Sequence, residues 1–414
     1  MKTMNRIFLS AITLAAVMFG SCTRDIAEVI IENESSLMRV DEAVVISRVS
    51  LESVFGNIPA ESFPVLVAPD GSILASQYDD LTGDGRWDEL FLLVNMEPES
   101  SVAYTVSFID SRDMPVINPR TNIRFARIDG TEYIPLITAN RLSAADGLAG
   151  GKFQFEGPGW ENDRVGFRNY FDIRNGIDIF GKLTSDMVLD RVGINENYHV
   201  HQEWGMDILK VGASLGGGSL ALERNGNLHR VAPDAEGTYE LITQGPLRSV
   251  FQLRFDNWLI DDNTYTLVHE ISIHGGAWFY ESKVYLDAPG GQHTIIGGIT
   301  SLDLDDKTAY REIRSEGVVA FGTHGTQAIE GEVLGMAIMV DEDFYAGYEY
   351  IEEGEDISDT FMINMSHSDD KSVSFRFYSC WELSEPRFSQ ADYYYEFLEL
   401  ESRKKAQPLI VTYR

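Results

Sequence analysis

Apolar and polar positions alternate along most of this chain. The stretches "SVAYTVSF" (101–108), "SVFQLRFDNW" (249–258), "YTLVHEISIHG" (265–275) and "SVSFRFYS" (372–379) all carry a period of two, the period of a half-buried β-strand. Turn signals such as "APDG", "NGN" and "APGG" separate the runs. Helical periodicity is scarce. It is clearest in "QADYYYEFLEL" (390–400), where Tyr393, Phe397 and Leu400 recur at helical spacing, and "PLIVTY" (408–413) after it reads as a closing strand. The pattern predicts an all-β chain of antiparallel sandwiches. At 414 residues it exceeds one ordinary sandwich. It divides into a small N-terminal β-sandwich over 23–130 and a larger β-sandwich over 131–414, with "IDSRDMPVINPR" (109–120) as the best linker.

The first 21 residues change the compartment. Lys2 and Arg6 precede an apolar run from Ile7 to Phe19, followed by Gly20, Ser21 and Cys22, which is the layout of a secretory signal peptide. The ending "FGSC" is similar to a bacterial lipobox, which makes Cys22 the expected site of lipidation and the lipid the only expected contact with a membrane. No second apolar run is long enough to span a bilayer. With Cys22 lipidated, Cys380 has no partner and core burial must hold the fold. The net charge of −32 becomes −34 once Lys2 and Arg6 leave with the signal. Such a field repels nucleic acid, and an anionic ligand would need a local basic pocket.

Four stretches carry candidate chemistry. "DLTGDGRWDEL" (80–90) places Asp80, Thr82, Asp84 and Asp88 around Gly85, with Glu89 following. It is like the first half of a calcium-binding EF-hand loop, but Phe91 stands where the bidentate glutamate belongs. A structural calcium and a plain Asp/Gly hairpin loop are both open. In "GPGWENDRVGFRNYFD" (157–172), a strand from Arg164 to Tyr170 would show Arg164, Gly166, Arg168 and Tyr170 on one face. Two arginines there form a plausible carboxylate clamp, with Glu161 and Asp163 as supporting acids or as salt-bridge partners.

In "YHVHQEWGMDILKVGASLGGGS" (198–219), His199, His201 and Glu203 share strand parity, but their spacing matches no known zinc site. Asp207 and Lys210 precede glycines that do not form a phosphate-binding loop, since the lysine comes first and no helix start follows. That run predicts a close approach of backbone to backbone or to a ligand. Parity along 265–275 makes His269 a core histidine. It puts His274 with Glu270 and Ser272 on a polar face, beside Gln252 and Arg254 of the neighbouring run. With Trp258, Trp278 and Tyr280 near in sequence, that face is either a carbohydrate groove or an ordinary solvated one.

Taken together, "WENDRVGFRNY" and "YHVHQEWGMDILKVGASLGGG" resemble a domain-of-unknown-function family of bacterial lipoproteins found in polysaccharide-utilisation loci. The likeness rests on Trp160, Glu161, Asn162, Asp163, Arg164, Arg168 and Tyr170, then on Tyr198, His199, Gly205, Asp207, Lys210, Val211 and Gly212, with Lys182 in "IFGK" and the loop at 80–90 as further matches. Phe171, His201 and Trp204 depart from the family pattern. The resemblance implies a large sandwich of the galactose-mutarotase type, an exported lipoprotein of the outer membrane or periplasm, an acidic oligosaccharide or polysaccharide as partner, and no required cofactor. The implied activity is dehydration of uronate-ended oligosaccharides to a 4,5-unsaturated sugar. Such a lyase needs cations on the carboxylate, a base at C5 and an acid at the C4 oxygen. The candidates are Arg168 and Arg164 on the carboxylate, His199 as base, and Tyr170 or Tyr198 as acid. Lys210 either neutralises charge or pairs with Asp207, and Lys182, Trp160, His201 and His274 complete the expected substrate-binding set. The alternatives are a glycan-binding lipoprotein without turnover and a glycoside hydrolase using Glu161 and Asp163.

Overall fold

A computed structural model describes residues 27–142, 151–233, 235–289, 293–367 and 372–414. The expected signal peptide and the expected lipidation site Cys22 therefore lie outside the described residues. Apart from helix α1 (Arg48–Phe55), helix α2 (Ala391–Ala406) and two short 3-10 turns, the regular elements are antiparallel strands. This is the expected fold class, a small N-terminal β-sandwich followed by a large antiparallel one. No described helix is long and apolar enough to cross a membrane.

The small sandwich faces a four-stranded sheet, whose central strands are Glu28–Asn33 and Ser100–Asp110, against a three-stranded sheet centred on Glu89–Met96. Val29, Ile31, Val44, Ile46, Leu66, Trp87, Leu90 and Leu92 fill the space between them. The strand Ile410–Tyr413 pairs with Glu28–Asn33, so a strand that follows the large sandwich completes the first sheet. The division expected near residue 130 falls earlier. Thr121–Arg124 already pairs with Gly159–Asn162 in the large sandwich, and the crossing runs through the expected linker.

The large sandwich sets a nine-stranded sheet against two five-stranded ones. Its core stacks Trp160 and Phe167 on Tyr280, Phe251 and Phe377 of the long sheet. Helix α2 covers part of the long sheet's other face, burying Tyr394, Tyr395 and Leu398 against Ala320, Ala337, Met339 and Tyr378. The glycine run is packed by backbone. A Cβ at Gly216 would stand 2.1 Å from the Ile177 oxygen, and one at Gly218, where φ is +93°, would stand 2.3 Å from the Tyr280 hydroxyl.

The five-stranded sheet that matters most runs in the order Gly205–Asp207, Ile177–Lys182, Val165–Asn169, Gly159–Asn162, Thr121–Arg124. Strand parity sends Trp160, Phe167, Ile179 and Met206 inward. It sends Glu161, Gly166, Arg168, Asp178, Phe180, Lys182 and Asp207 outward. That outer face is not solvated. The segment 183–204 folds over it, and Val188, Leu189, Val192, Tyr198 and Trp204 pack with Phe155 around Phe180.

Candidate functional site

Two polar clusters sit under this covering segment, one on each side of Phe180. The first is structural. Lys182 Nζ lies 2.5 Å from Glu161 Oε2, and it also donates to the carbonyls of Asn162 and Asp186. The other Glu161 oxygen accepts the N–H groups of Val188 and Leu189, both at 2.7 Å. The pair is almost wholly buried. Its work is to pin the covering segment to the sheet, a use of two charges that burial permits only because every partner is supplied.

The second cluster is built by cross-strand register. Arg168 stands opposite Asp178, and Asp207 stands opposite Phe180 one strand further on. Arg168 donates from one nitrogen to Glu156 (3.1 Å) and the Tyr198 hydroxyl (2.8 Å). The other nitrogen donates to the Tyr170 hydroxyl (2.8 Å) and Asp178 (2.5 Å), and Asp207 lies 3.7 Å away. The Tyr170 hydroxyl donates to Asp178 at 2.9 Å. His199 places Nδ1 3.1 Å from Asp207, with 56% of its side chain exposed while Asp207 is buried. Its ring lies beside that of Tyr198, with centroids 4.3 Å apart. Arg174, half-buried and paired with Asp172, stacks over Tyr170 at 3.9 Å. The cluster therefore runs from a sealed interior, Arg168, Asp178 and Asp207, to a rim of His199, Tyr198, Tyr170, Glu156 and Arg174.

The electrostatics follow from that geometry. Burial pushes the Asp178 carboxyl well up, and the neighbouring Asp207 adds to the effect while Arg168 opposes it. Burial likewise raises the phenols of Tyr198 and Tyr170. For Tyr198 the Arg168 cation opposes that rise; for Tyr170 the Asp178 charge comes next and adds to it. Both phenols stay protonated at neutral pH.

Of the residues singled out from sequence, Arg168, Tyr170, Tyr198, His199 and Asp207 converge. The others do not. Arg164 sits in the turn after Asp163, exposed, over Trp278 at 5.5 Å, so the two arginines form no clamp. Asp163 holds Arg120 (2.7 Å) and the Gly276 N–H (2.7 Å), and Arg120 in turn grips Asp41 of the small sandwich at 2.7 and 2.8 Å. Glu161 and Asp163 are thus committed to separate structural tasks rather than to a carboxylate pair. Trp160 is wholly buried in the core and meets no ligand. Lys210 reaches Asp303 (3.7 Å) instead of Asp207. His201 pairs with Glu332 (3.0 Å) and stacks on Trp381, so it shares no site with His199.

The loop at 80–89 folds its acids inward. Asp80 accepts from the N–H groups of Gly83, Asp84 and Gly85, and Asp88 from those of Leu81 and Thr82. Asp84 accepts from the Arg86 N–H, and Glu89 pairs with Arg248. These hydrogen bonds order the loop from within, while Glu89 is turned to Arg248. No three His, Cys, Asp or Glu side chains among the described residues are grouped to hold a metal.

His274 belongs to a different place. It lies on the outer face of the nine-stranded sheet, where a cleft runs between that sheet and the small sandwich. One part, about 350 Å³, is lined by Asp41, Arg164, His274, Trp278 and Arg376. The other, about 460 Å³, is lined by Gln252, Glu270, Glu281, Lys283, Tyr285 and Arg376. Trp258 and Tyr280, expected near this face, are buried in the core. His269 is buried too, with Nε2 2.8 Å from the Ser282 hydroxyl, as its parity requires.

Sequence reasoning missed Asp178, Glu156 and Arg174. A signal existed for Asp178. A carboxylate inside the apolar run "IDIF" must find a partner, and antiparallel pairing supplies one from the strand before it.

The sequence matches the family described as "Domain of unknown function (DUF4861)" over residues 31–411. The chain belongs to this family. It is also 22% identical over 374 residues to "Uncharacterized protein P7" of Formosa agariphila, covering 84% of each chain. Among solved structures it is similar to an alpha-mannosidase from Enterococcus faecalis, with a TM-score of 0.50 and 9% identity over 94% of this chain. The alignment spans about half of the mannosidase, 46% of its length. That likeness is one of fold. The Arg168 cluster of this DUF4861 member therefore has to be read from its own chemistry.

Proposed function

We propose that this DUF4861 protein acts on acidic carbohydrate, eliminating water from uronate-ended oligosaccharides. One observation carries the reading. Tyr198 and His199 stand side by side at the rim, and each is backed by a buried charged group, Arg168 behind the phenol oxygen and Asp207 behind Nδ1. Asp207 holds the imidazole with Nδ1–H inward, which leaves Nε2 free to take the proton from C5. The Tyr198 oxygen already accepts from Arg168, so its own proton is free to follow the oxygen leaving C4 as water. The tyrosinate that forms is then stabilised by the guanidinium. Tyr170 donates to Asp178 and serves as support, which makes Tyr198 the better acid of the two. Both terminal nitrogens of Arg168 are already bonded to protein groups, so Arg174 at the rim takes the role of meeting the substrate carboxylate. The motif resemblance and the mannosidase-like fold support a sugar as the substrate class.

The test is an ultraviolet assay for the conjugated product on a panel of uronate-ended oligosaccharides. His199→Ala is expected to lose about 10²–10⁴ in rate while retaining most of its binding, because base catalysis acts on the transition state. A variant within about threefold of wild type lies outside that range and excludes His199 as the base.

The cleft of about 460 Å³ favours a second reading, a glycan-binding protein without turnover. Wild type that binds the panel, forms no product and loses binding in Lys283→Ala would establish that reading in place of the first.

A further inference from the structure

Three carboxylates crowd around one guanidinium in the Arg168 cluster. Asp178 is wholly buried, Asp207 is 2% exposed, and Glu156 takes a further share of Arg168 from the rim. The other nearby cation, Arg174, is paired with Asp172 and lies over Tyr170 at the rim. His199 contributes no fixed charge. Two adjacent carboxylates sealed from water, with one shared cation between them, cannot both stay ionised cheaply. A proton placed between them removes the repulsion.

We propose that Asp178 and Asp207 hold one proton between them at neutral pH, carried by Asp178, and that Asp178 is thereby a positioning residue for His199. The groups facing the pair are Arg168 from the central strand, Tyr170 and Arg174 from the turn after it, Glu156 from the segment before it, and Tyr198 and His199 from the covering segment. Arg168 is the one cation that opposes protonation by direct contact, and it is divided among three acids. The upward push on the Asp178 carboxyl agrees with this arrangement.

The proton has a geometric consequence. As an acid, Asp178 donates to Asp207 and restrains that carboxylate, while its other oxygen goes on accepting from Arg168 and the Tyr170 hydroxyl. Asp207 then stays ionised and can only accept, so the hydrogen on His199 must sit on Nδ1. That fixes the tautomer with Nε2 bare, the form a base needs.

The two aspartates should therefore respond oppositely to the same isosteric change. Asparagine copies a neutral acid, with one acceptor and one donor. Asp178→Asn keeps an acceptor for Arg168 and Tyr170 and a donor for Asp207, so it is expected to lose far less in kcat than Asp207→Asn and to leave the alkaline and acid limbs of its pH profile in place. Asp207→Asn presents a donor to Nδ1, forces the other tautomer, and is expected to lose on the order of 10²–10⁴ in kcat with little change in KM. Equal losses in both variants, with both still folded by circular dichroism, would overturn the proposal.

This kinetic arm rests on the proposed activity. A second arm does not. Infrared difference spectra at neutral pH are expected to show one protonated carboxyl in wild type that disappears in Asp178→Asn. If no such band exists, the shared proton is refuted whatever the enzyme does. If the band is present but no substrate turns over, the proton stands and the reaction assignment falls.

Discussion

Lys182 and Glu161 show how much one buried pair can hold. Lys182 meets one carboxylate and two carbonyls, and Glu161 meets two backbone N–H groups of the covering segment. Removing one partner of a buried pair leaves the other charge stranded, at about 3–5 kcal/mol. Lys182→Met is therefore expected to lower stability by that amount in denaturant unfolding. The double variant with Glu161→Gln should recover part of the loss, and a single variant at wild-type stability would show that the covering segment does not depend on the pair. At this scale the sequence was legible where a motif was local. Tyr198, His199 and Asp207 lie within ten residues, and Arg168 and Tyr170 are two apart. Asp178 was legible only as a carboxylate in an apolar run that must find a partner, and Glu156 not at all, because hairpin register and the path of the chain before Gly159 bring them to Arg168. Arg164 misled because the expected strand began at Arg164, which belongs with Asp163 to the turn, and the strand begins at Val165.

Elements were easier to foresee than their neighbours. Period two gives the strands, and helix α2 was visible from the spacing of its aromatics. Which sheet each strand joins is not written in its own pattern, since any apolar face can be buried against several others. Helix α2 illustrates the dependence. Only one stripe is apolar, and Leu398 on that stripe is fully buried beneath it, against the long sheet. Leu398→Ala should cost about 2–5 kcal/mol, the usual loss for a buried leucine with its cavity. The measurement is the denaturant midpoint at unchanged m-value. A cost below about 1 kcal/mol would mean that the site collapses to fill the gap. The covering segment 183–204 was not foreseen at all, because it packs through Val188, Leu189, Val192 and Trp204 without any repeating period.

The whole molecule carries a titration of its own. Burial depresses the pKa of His269 to about 3, so the ring stays neutral in the native sandwich. The unfolded chain takes up the proton below about 6.5, and the native chain does not until far lower pH. Stability is thus present above that value and is lost as pH falls, at about 1.4 kcal/mol per pH unit for one group. His269→Gln, whose amide can still meet Ser282, is expected to lose less stability than wild type between pH 6.5 and pH 4.5. Parallel melting curves for the two proteins across that range would remove His269 as a cause of acid sensitivity. The division into two sandwiches was legible from length and pattern, but not the route by which the chain closes them. The strand Ile410–Tyr413 lies against Glu28–Asn33, nearly the full sequence apart. That pairing sets an order in time. A chain emerging N-terminus first presents the strands of its small sheet early, yet the neighbour that covers the edge of Glu28–Asn33 is made only after the whole large sandwich. Until then this edge stays open to other strands, so the first sheet to appear is the last to be sealed, and the interval is the moment when the protein is most exposed to mispairing.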